Sequence, residues 1–289
     1  MEEQMIEVSE LRFRYARAPA LFRGVTMALA PGNIYGLLGR NGAGKTSLLR
    51  LMAGLLFPTA GAVRLWEADA ARRRPEVLSD TLFVPEEFHV PAISAEEYVR
   101  TYAPFYPRFD RQILERAMAE FGLEMGGNLG RLSYGQRKKF VIGFALATGA
   151  RLLLLDEPTN GLDIPSKSQF RKILLGELSE DRIFLVSTHQ VRDLQNVIDP
   201  IVILEEGQVV LNASFAELGT RFVSRVARTP EEAADSIYSE QVPGGTAVLE
   251  RNGSGAESEV DLELLFNACV AHPEAVVRTM QQEGGSRHE

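Results

Sequence analysis

Eight consecutive residues, Gly39-Arg40-Asn41-Gly42-Ala43-Gly44-Lys45-Thr46, set three glycines ahead of a lysine and a hydroxyl. The spacing fits the pattern G-x-x-x-x-G-K-[ST], in which glycines let the main chain fold around phosphate oxygens with its amides pointing inward. Lys45 would neutralise the β- and γ-phosphates of a nucleoside triphosphate, and the Thr46 hydroxyl would coordinate Mg²⁺. Ser47 opens an amphipathic stretch running to Ala53, so a helix N-terminus adds its partial positive charge. The candidate phosphate cradle is therefore Gly39, Asn41, Gly42, Ala43, Gly44, Lys45, Thr46 and Ser47. Kinases, GTPases and motor ATPases share such a loop, so it fixes a ligand class and leaves the reaction open.

Two more strand-like runs end in groups that could act on that ligand. Leu152 to Leu155 is followed by Asp156 and Glu157. Asp156 would hold Mg²⁺ through water. Glu157, directed to the opposite side of the strand end, is the natural general base for an attacking water. Ile183 to Val186 is followed by Ser187-Thr188-His189. Taken alone, an Asp-Glu pair is often the polar end of a buried strand, and a single histidine a hydrogen-bonded structural one. The phosphate loop upstream is what turns both into site candidates.

These groups need a scaffold. Ile34 to Leu38, Leu152 to Leu155, Ile183 to Val186 and Ile201 to Leu204 read as strands buried on both faces, hence parallel strands between helices. Between Ala92 and Thr148 the spacing turns helical, as in Ile113, Leu114, Ala117, Met118 and Phe121. A boundary is expected near Ala213 to Leu218, beyond which glycine-rich turns separate short strand-like runs such as Thr246 to Leu249. The 289 residues, 45% hydrophobic and 24% charged, suffice for a large core and exclude a disordered or disulfide-scaffold chain. A single cysteine, Cys269, forms no intrachain disulfide and reads as a small buried hydrophobe. Its opening residues lack the basic and apolar regions of a secretory signal, and Phe140 to Leu155, interrupted by Arg151, falls short of the roughly 20 apolar residues of a membrane span. The expectation is a cytoplasmic chain. A net charge of −8, with most of the acidic excess after Ser214, repels nucleic acid, and no nucleic-acid partner is expected. Trp66 and the methionines read as packing residues, His89 and His272 as surface or loop histidines, and Arg72 to Arg74 as a solvated face.

Leu132-Ser133-Tyr134-Gly135-Gln136 precedes a helix, and Ser133 with Gln136 has the spacing of a capping box. Its place 23 residues before Asp156 makes it resemble the LSGGQ signature of ATP-binding-cassette (ABC) ATPases. The likeness continues through Asp156-Glu157-Pro158-Thr159-Asn160-Gly161-Leu162-Asp163, similar to that family's Walker B and D-loop, and through His189 at its H-loop. Tyr15, placed in a strand upstream of the phosphate loop, falls at the A-loop aromatic.

The resemblance covers about residues 3–214 and implies an α/β fold: a RecA-like P-loop NTPase core, an antiparallel β subdomain and a helical signature subdomain at about 90–150. Residues 215–289 would form a small C-terminal α+β extension. It further implies ATP and Mg²⁺, with Tyr15 stacking on adenine and His189 contacting the γ-phosphate. A second ATP-binding subunit, identical or paralogous, would receive Ser133, Gly135 and Gln136 at its own nucleotide. Two positions depart from the family pattern. Tyr134 stands where a glycine is usual, so its side chain must turn away from the nucleotide with negative φ. Glu86, in Phe83-Val84-Pro85-Glu86, stands where glutamine is usual, and reaches Mg²⁺ or a water through an oxygen while adding charge. That substitution and Phe105-Tyr106-Pro107 look similar to the branch of stand-alone subunits that drive drug, antibiotic or lipid export. The expected function is ATP hydrolysis powering transport through a separate transmembrane permease, with the chain peripheral on the inner membrane face. The rival is a soluble ABC ATPase acting on ribosomes or DNA. Such members usually carry two cassettes or a coiled-coil insert, and this chain shows one cassette and no heptad run.

Overall fold

In the computed structural model, which describes residues 5–193, 197–254 and 256–282, the chain opens with β1 (Ile6–Phe13) and β2 (Phe22–Leu29), then β3 (Asn33–Leu38). The glycine loop follows and turns into α1 (Lys45–Met52). β4 (Ala60–Leu65) and β5 (Ala68–Asp69) return to β1, giving an antiparallel sheet in the order β2-β1-β4-β5. Alternating buried and exposed residues along β1 and β2 show that only one face of this sheet meets the core.

After the single turn α2 (Pro75–Leu78), β6 (Thr81–Val84) enters a second sheet. Three helices follow without a strand, α3 (Ala95–Tyr102), α4 (Arg111–Phe121) and α5 (Tyr134–Ala147). Side-chain caps start all three, from Ser94, Asp110 and Ser133. β7 (Leu152–Asp156), α6 (Ile164–Gly176), β8 (Ile183–Thr188), β9 (Ile201–Glu205) and β10 (Gln208–Ala213) complete the sheet in the order β10-β9-β3-β8-β7-β6. All pairings in it are parallel except that of β10 with β9. β7 and β8 are buried at every residue, as expected of strands covered by helices on both faces.

This sheet separates two hydrophobic cores. One holds β1, β2 and α1 side chains against Leu152, Leu154 and Leu185; the other holds α4 and α5 side chains against Leu153, Leu155 and Phe184. Past Ser214, whose side chain caps α7 (Phe215–Arg221), come β11 (Phe222–Ala227), β12 (Tyr238–Val242), β13 (Gly245–Arg251), α8 (Leu262–Ala271) and α9 (Pro273–Gln281). Their sheet has the order β11-β13-β12, and α8 and α9 reach back onto β9 and β10. Cys269 is fully buried there, and burial raises its thiol pKa to about 12. The structure corrects one placement: Tyr15 lies two residues beyond β1, where the chain has left the sheet and the ring can turn toward α1. No helix among the described residues is long and apolar enough to cross a membrane.

Candidate active site

Parallel pairing of β3, β8 and β7 aligns their carboxyl ends, with Leu38 opposite Thr188 and Asp156 opposite Ser187. The phosphate loop, His189 and Glu157 therefore leave the sheet at one edge, where open α/β sheets bind ligands. β6, the next strand, delivers Glu86 to the same edge.

Gly44 caps α1 with φ +107° and no side-chain bond to the first turn, so the helix's N-terminal amides stay available to an anion. A Cβ on Gly44 would stand 2.7 Å from the Phe22 ring, and one on Gly39 would stand 2.5 Å from the Leu204 carbonyl oxygen. Both glycines are there because neighbouring chain leaves no room for a side chain. Lys45 is buried and donates from Nζ to the Gly39 carbonyl at 2.7 Å, while lying 3.6 Å from Glu157 Oε1.

Asp156 accepts from Thr46 Oγ1 at 2.7 Å and from Ser187 Oγ at 2.6 Å, which pins both of its oxygens. Simple strand alternation would send Glu157 to the opposite side, and here the structure differs. Glu157 adopts φ +45°, which breaks the extended run, and its carboxylate lies beside Lys45, on the same side as the Thr46 and Asp156 pair. There His189 Nδ1 lies 2.9 Å from Glu157 Oε1. A carboxylate oxygen accepts in such a pair, which gives the ring N–H the donor's part. Glu157 Oε2 is buried without a hydrogen-bond partner among the described residues. A buried carboxylate oxygen that no protein group occupies suits the part of acceptor for a water or ligand proton.

A cavity of about 530 Å³ joins these groups, lined by Tyr15, Ala18 to Leu21, Arg40 to Gly42, Gly44 to Ser47, Glu86 and Glu157. Tyr15 donates to or accepts from Ser47 Oγ at 2.9 Å and packs edge-on against Phe13. Glu86 Oε1 accepts from Asn160 Nδ2 at 2.8 Å. The oxygen donors Thr46, Asp156 and Glu86 suit a hard divalent cation such as Mg²⁺.

Not every expected residue reaches this cavity. His189 touches it only through Glu157, and its ring borders a separate cleft with Glu263, Phe266 and Asn267 of α8. Ser133 and Gln136 are exposed at the start of α5, outside the cavity. Gln136 accepts from Ser133 N at 2.9 Å while Ser133 Oγ accepts from Gln136 N, so the glutamine's oxygen serves the helix cap. Tyr134 is helical, and its ring turns aside onto Phe88.

Three contributors were given no role from the sequence. Ser187 and Asn160 orient Asp156 and Glu86 from far along the chain, and Lys138 donates to the carbonyls of Glu157 and Asn160. Lys138 is fully buried, and desolvation, opposed by Glu86, Glu157 and Asp156, lowers its pKa to about 8. The signal for it was present: Lys138, Ile142 and Ala145 share the buried stripe of α5, and a lysine on such a stripe needs acceptors.

Comparison with known proteins agrees with this geometry. Residues 22–160 match the family model for ABC transporters. The chain is 30% identical over 203 residues to the ABC transporter ATP-binding protein NatA of Bacillus subtilis, covering 68% of this chain and 82% of NatA. It is 30% identical over 213 residues to the SkfA peptide export ATP-binding protein SkfE of the same organism, covering 72% and 88%. A solved ATP-binding subunit of an ABC transporter superposes with a TM-score of 0.66 at 25% identity, over 73% of this chain and 90% of that one. With a phosphate loop, a carboxylate pair and a capped signature helix arranged on one such sheet, the chain belongs to the ABC transporter family of ATP-binding subunits, ATPases that power transport.

Proposed function

We propose that this subunit drives export through a separate transmembrane permease, held on the inner face of the membrane by that partner and working with a second ATP-binding subunit. The observation that carries the catalytic part is the linked set Lys45, Glu157 and His189, beside the Thr46 and Asp156 pair, at one sheet edge. Lys45 exchanges its loop carbonyls for the β- and γ-phosphates of ATP. Glu157 takes the proton of the attacking water, and His189 holds that carboxylate in aim and is the candidate contact to the γ-phosphate. Mg²⁺, held by Thr46, Asp156 and Glu86, would neutralise phosphate charge as it develops. Tyr15 offers its ring to adenine.

Ser133 and Gly135, at a capped helix start outside the chain's own cavity, are suited to the nucleotide of the second subunit. Ile164, 85% exposed just past the D-loop, is an apolar side chain that such a neighbour would cover. Export is favoured by the likeness to SkfE and by Glu86 with Phe105-Tyr106-Pro107. Phe105, with Pro75, Leu78 and Tyr106, borders a groove of about 630 Å³ that offers the permease an apolar seat. Residues 3–214 would be the hydrolytic unit and 215–289 an accessory one.

Co-purification from membrane extracts tests this reading. Recovery with a polytopic membrane protein is expected, whereas recovery with ribosomes or DNA would overturn it. Within the site, Tyr15→Ala should weaken ATP by about 1 kcal/mol, while Tyr15→Phe keeps the ring and most of the affinity. Equilibrium binding of a fluorescent ATP analogue checks both, and equal affinity of the Ala variant and parent would remove Tyr15 from the site.

A further inference from the structure

Behind the phosphate cavity, two residues of α5 grip main chain that belongs to other elements. The Tyr134 hydroxyl donates to the Glu86 carbonyl at 2.6 Å, and its ring stacks on Phe88 with centroids 5.6 Å apart. Lys138, one turn further along α5, lies with Nζ 5.7 Å from the Tyr134 ring centroid. The same ammonium donates to the Glu157 carbonyl at 2.8 Å and the Asn160 carbonyl at 2.9 Å. Asn160 in turn donates its side-chain amide to the Glu86 carboxylate. The circuit is closed: Glu86 and Glu157, the two carboxylates that line the cavity, both sit on backbone that α5 holds. It also joins the chain's two departures from the family pattern, since Tyr134 and Glu86 bond to each other directly.

Burying an ammonium is costly unless its protons are all used, and an apolar side chain in its place would often serve stability as well. The circuit gives Lys138 something an apolar residue cannot do, which is to hold Glu157 in its positive-φ turn through the carbonyl of that very residue. We propose that Tyr134 and Lys138 are positioning residues for hydrolysis, fixing the backbone that carries Glu86 and Glu157 so that the aim of both carboxylates follows the placement of α5. The inference rests on the assignment of Glu157 as the base.

The test uses the full chain and reads ATP affinity and single-turnover phosphate release separately. Lys138→Met, nearly isosteric and apolar, should bind ATP like the parent and release phosphate on the order of tenfold to a hundredfold more slowly, because a misaimed base costs rate and not binding. Tyr134→Phe keeps the stack on Phe88 and should slow release by roughly threefold to tenfold. In a double-mutant cycle, Tyr134→Phe added to Glu86→Ala should bring no further loss, since the carboxylate it positions is already gone. A merely structural tyrosine would give losses that multiply, and that result overturns the proposal. So do wild-type release rates in Lys138→Met and Tyr134→Phe while Glu157→Gln is slow, which leaves the proposed function standing. Wild-type release by Glu157→Gln would instead defeat the reading of the base itself. If Lys138→Met is recovered only as aggregate, the cycle at the exposed Tyr134 decides alone.

Discussion

Glu157→Gln is expected to bind ATP at least as tightly as the parent chain and to hydrolyse it roughly 10²- to 10⁴-fold more slowly. The glutamine is nearly isosteric, so Lys45, Thr46 and Asp156 keep their places around the phosphates. Its amide cannot take the proton of water. Affinity should hold or rise because a buried negative charge 3.6 Å from Lys45 is removed from beside a polyanion. With turnover stalled, the proposed shared site would keep ATP between one subunit's loop and Ser133 and Gly135 of the second, so the ATP-bound dimer should accumulate by mass action. Light scattering with saturating ATP and Mg²⁺ measures it, and adding Ser133→Arg should break the dimer while leaving each loop occupied. A variant that turns over at the parent rate removes Glu157 from the mechanism; a variant that binds ATP and stays monomeric counts against the shared site.

Lys45→Ala should lose about 100-fold or more in ATP affinity. Two charge-assisted bonds to the β- and γ-phosphates disappear, each worth about 1.5–3 kcal/mol. Without ATP the same ammonium satisfies the Gly39 carbonyl and offsets Glu157, so the alanine variant also leaves a buried acidic group facing the phosphate site with its nearest cation gone. Both effects oppose anion binding. Isothermal titration with ATP reads the sum, and near-normal affinity would sink the assignment of the cradle.

How these residues came to be visible follows from where their information lies. The phosphate loop and the capping box at Ser133 are local: each is a few consecutive residues whose backbone demands select glycine, serine or glutamine. The buried strands announce themselves as apolar runs, and β3, β7, β8 and β9 fall where those runs were read. Ser187 and Asn160 gave no such sign, because their partners lie 31 and 74 residues away. The turn at Glu157 was hidden for a related reason. A positive φ at a glutamate is imposed by surroundings that include the Lys138 ammonium, and no local propensity favours it. Tyr15 falls past the strand because β1 ends at Phe13, and its hydroxyl then meets Ser47 at the start of α1, a partner 32 residues away.

The way α8 and α9 return to β9 and β10 has a thermodynamic consequence. Leu218, Phe222, Leu249, Leu262, Leu265 and Val276 are all fully buried in the same apolar cluster as Ile201, Ile203, Leu211 and the interior face of α5. Ser214 therefore marks a change of architecture along the chain without a gap in the packing. Removing residues 215–282 would strip cover from the last two strands of the six-stranded sheet and lay bare the kind of apolar surface that drives aggregation. Heat should accordingly melt the two parts together, in one calorimetric transition whose van't Hoff and measured enthalpies agree.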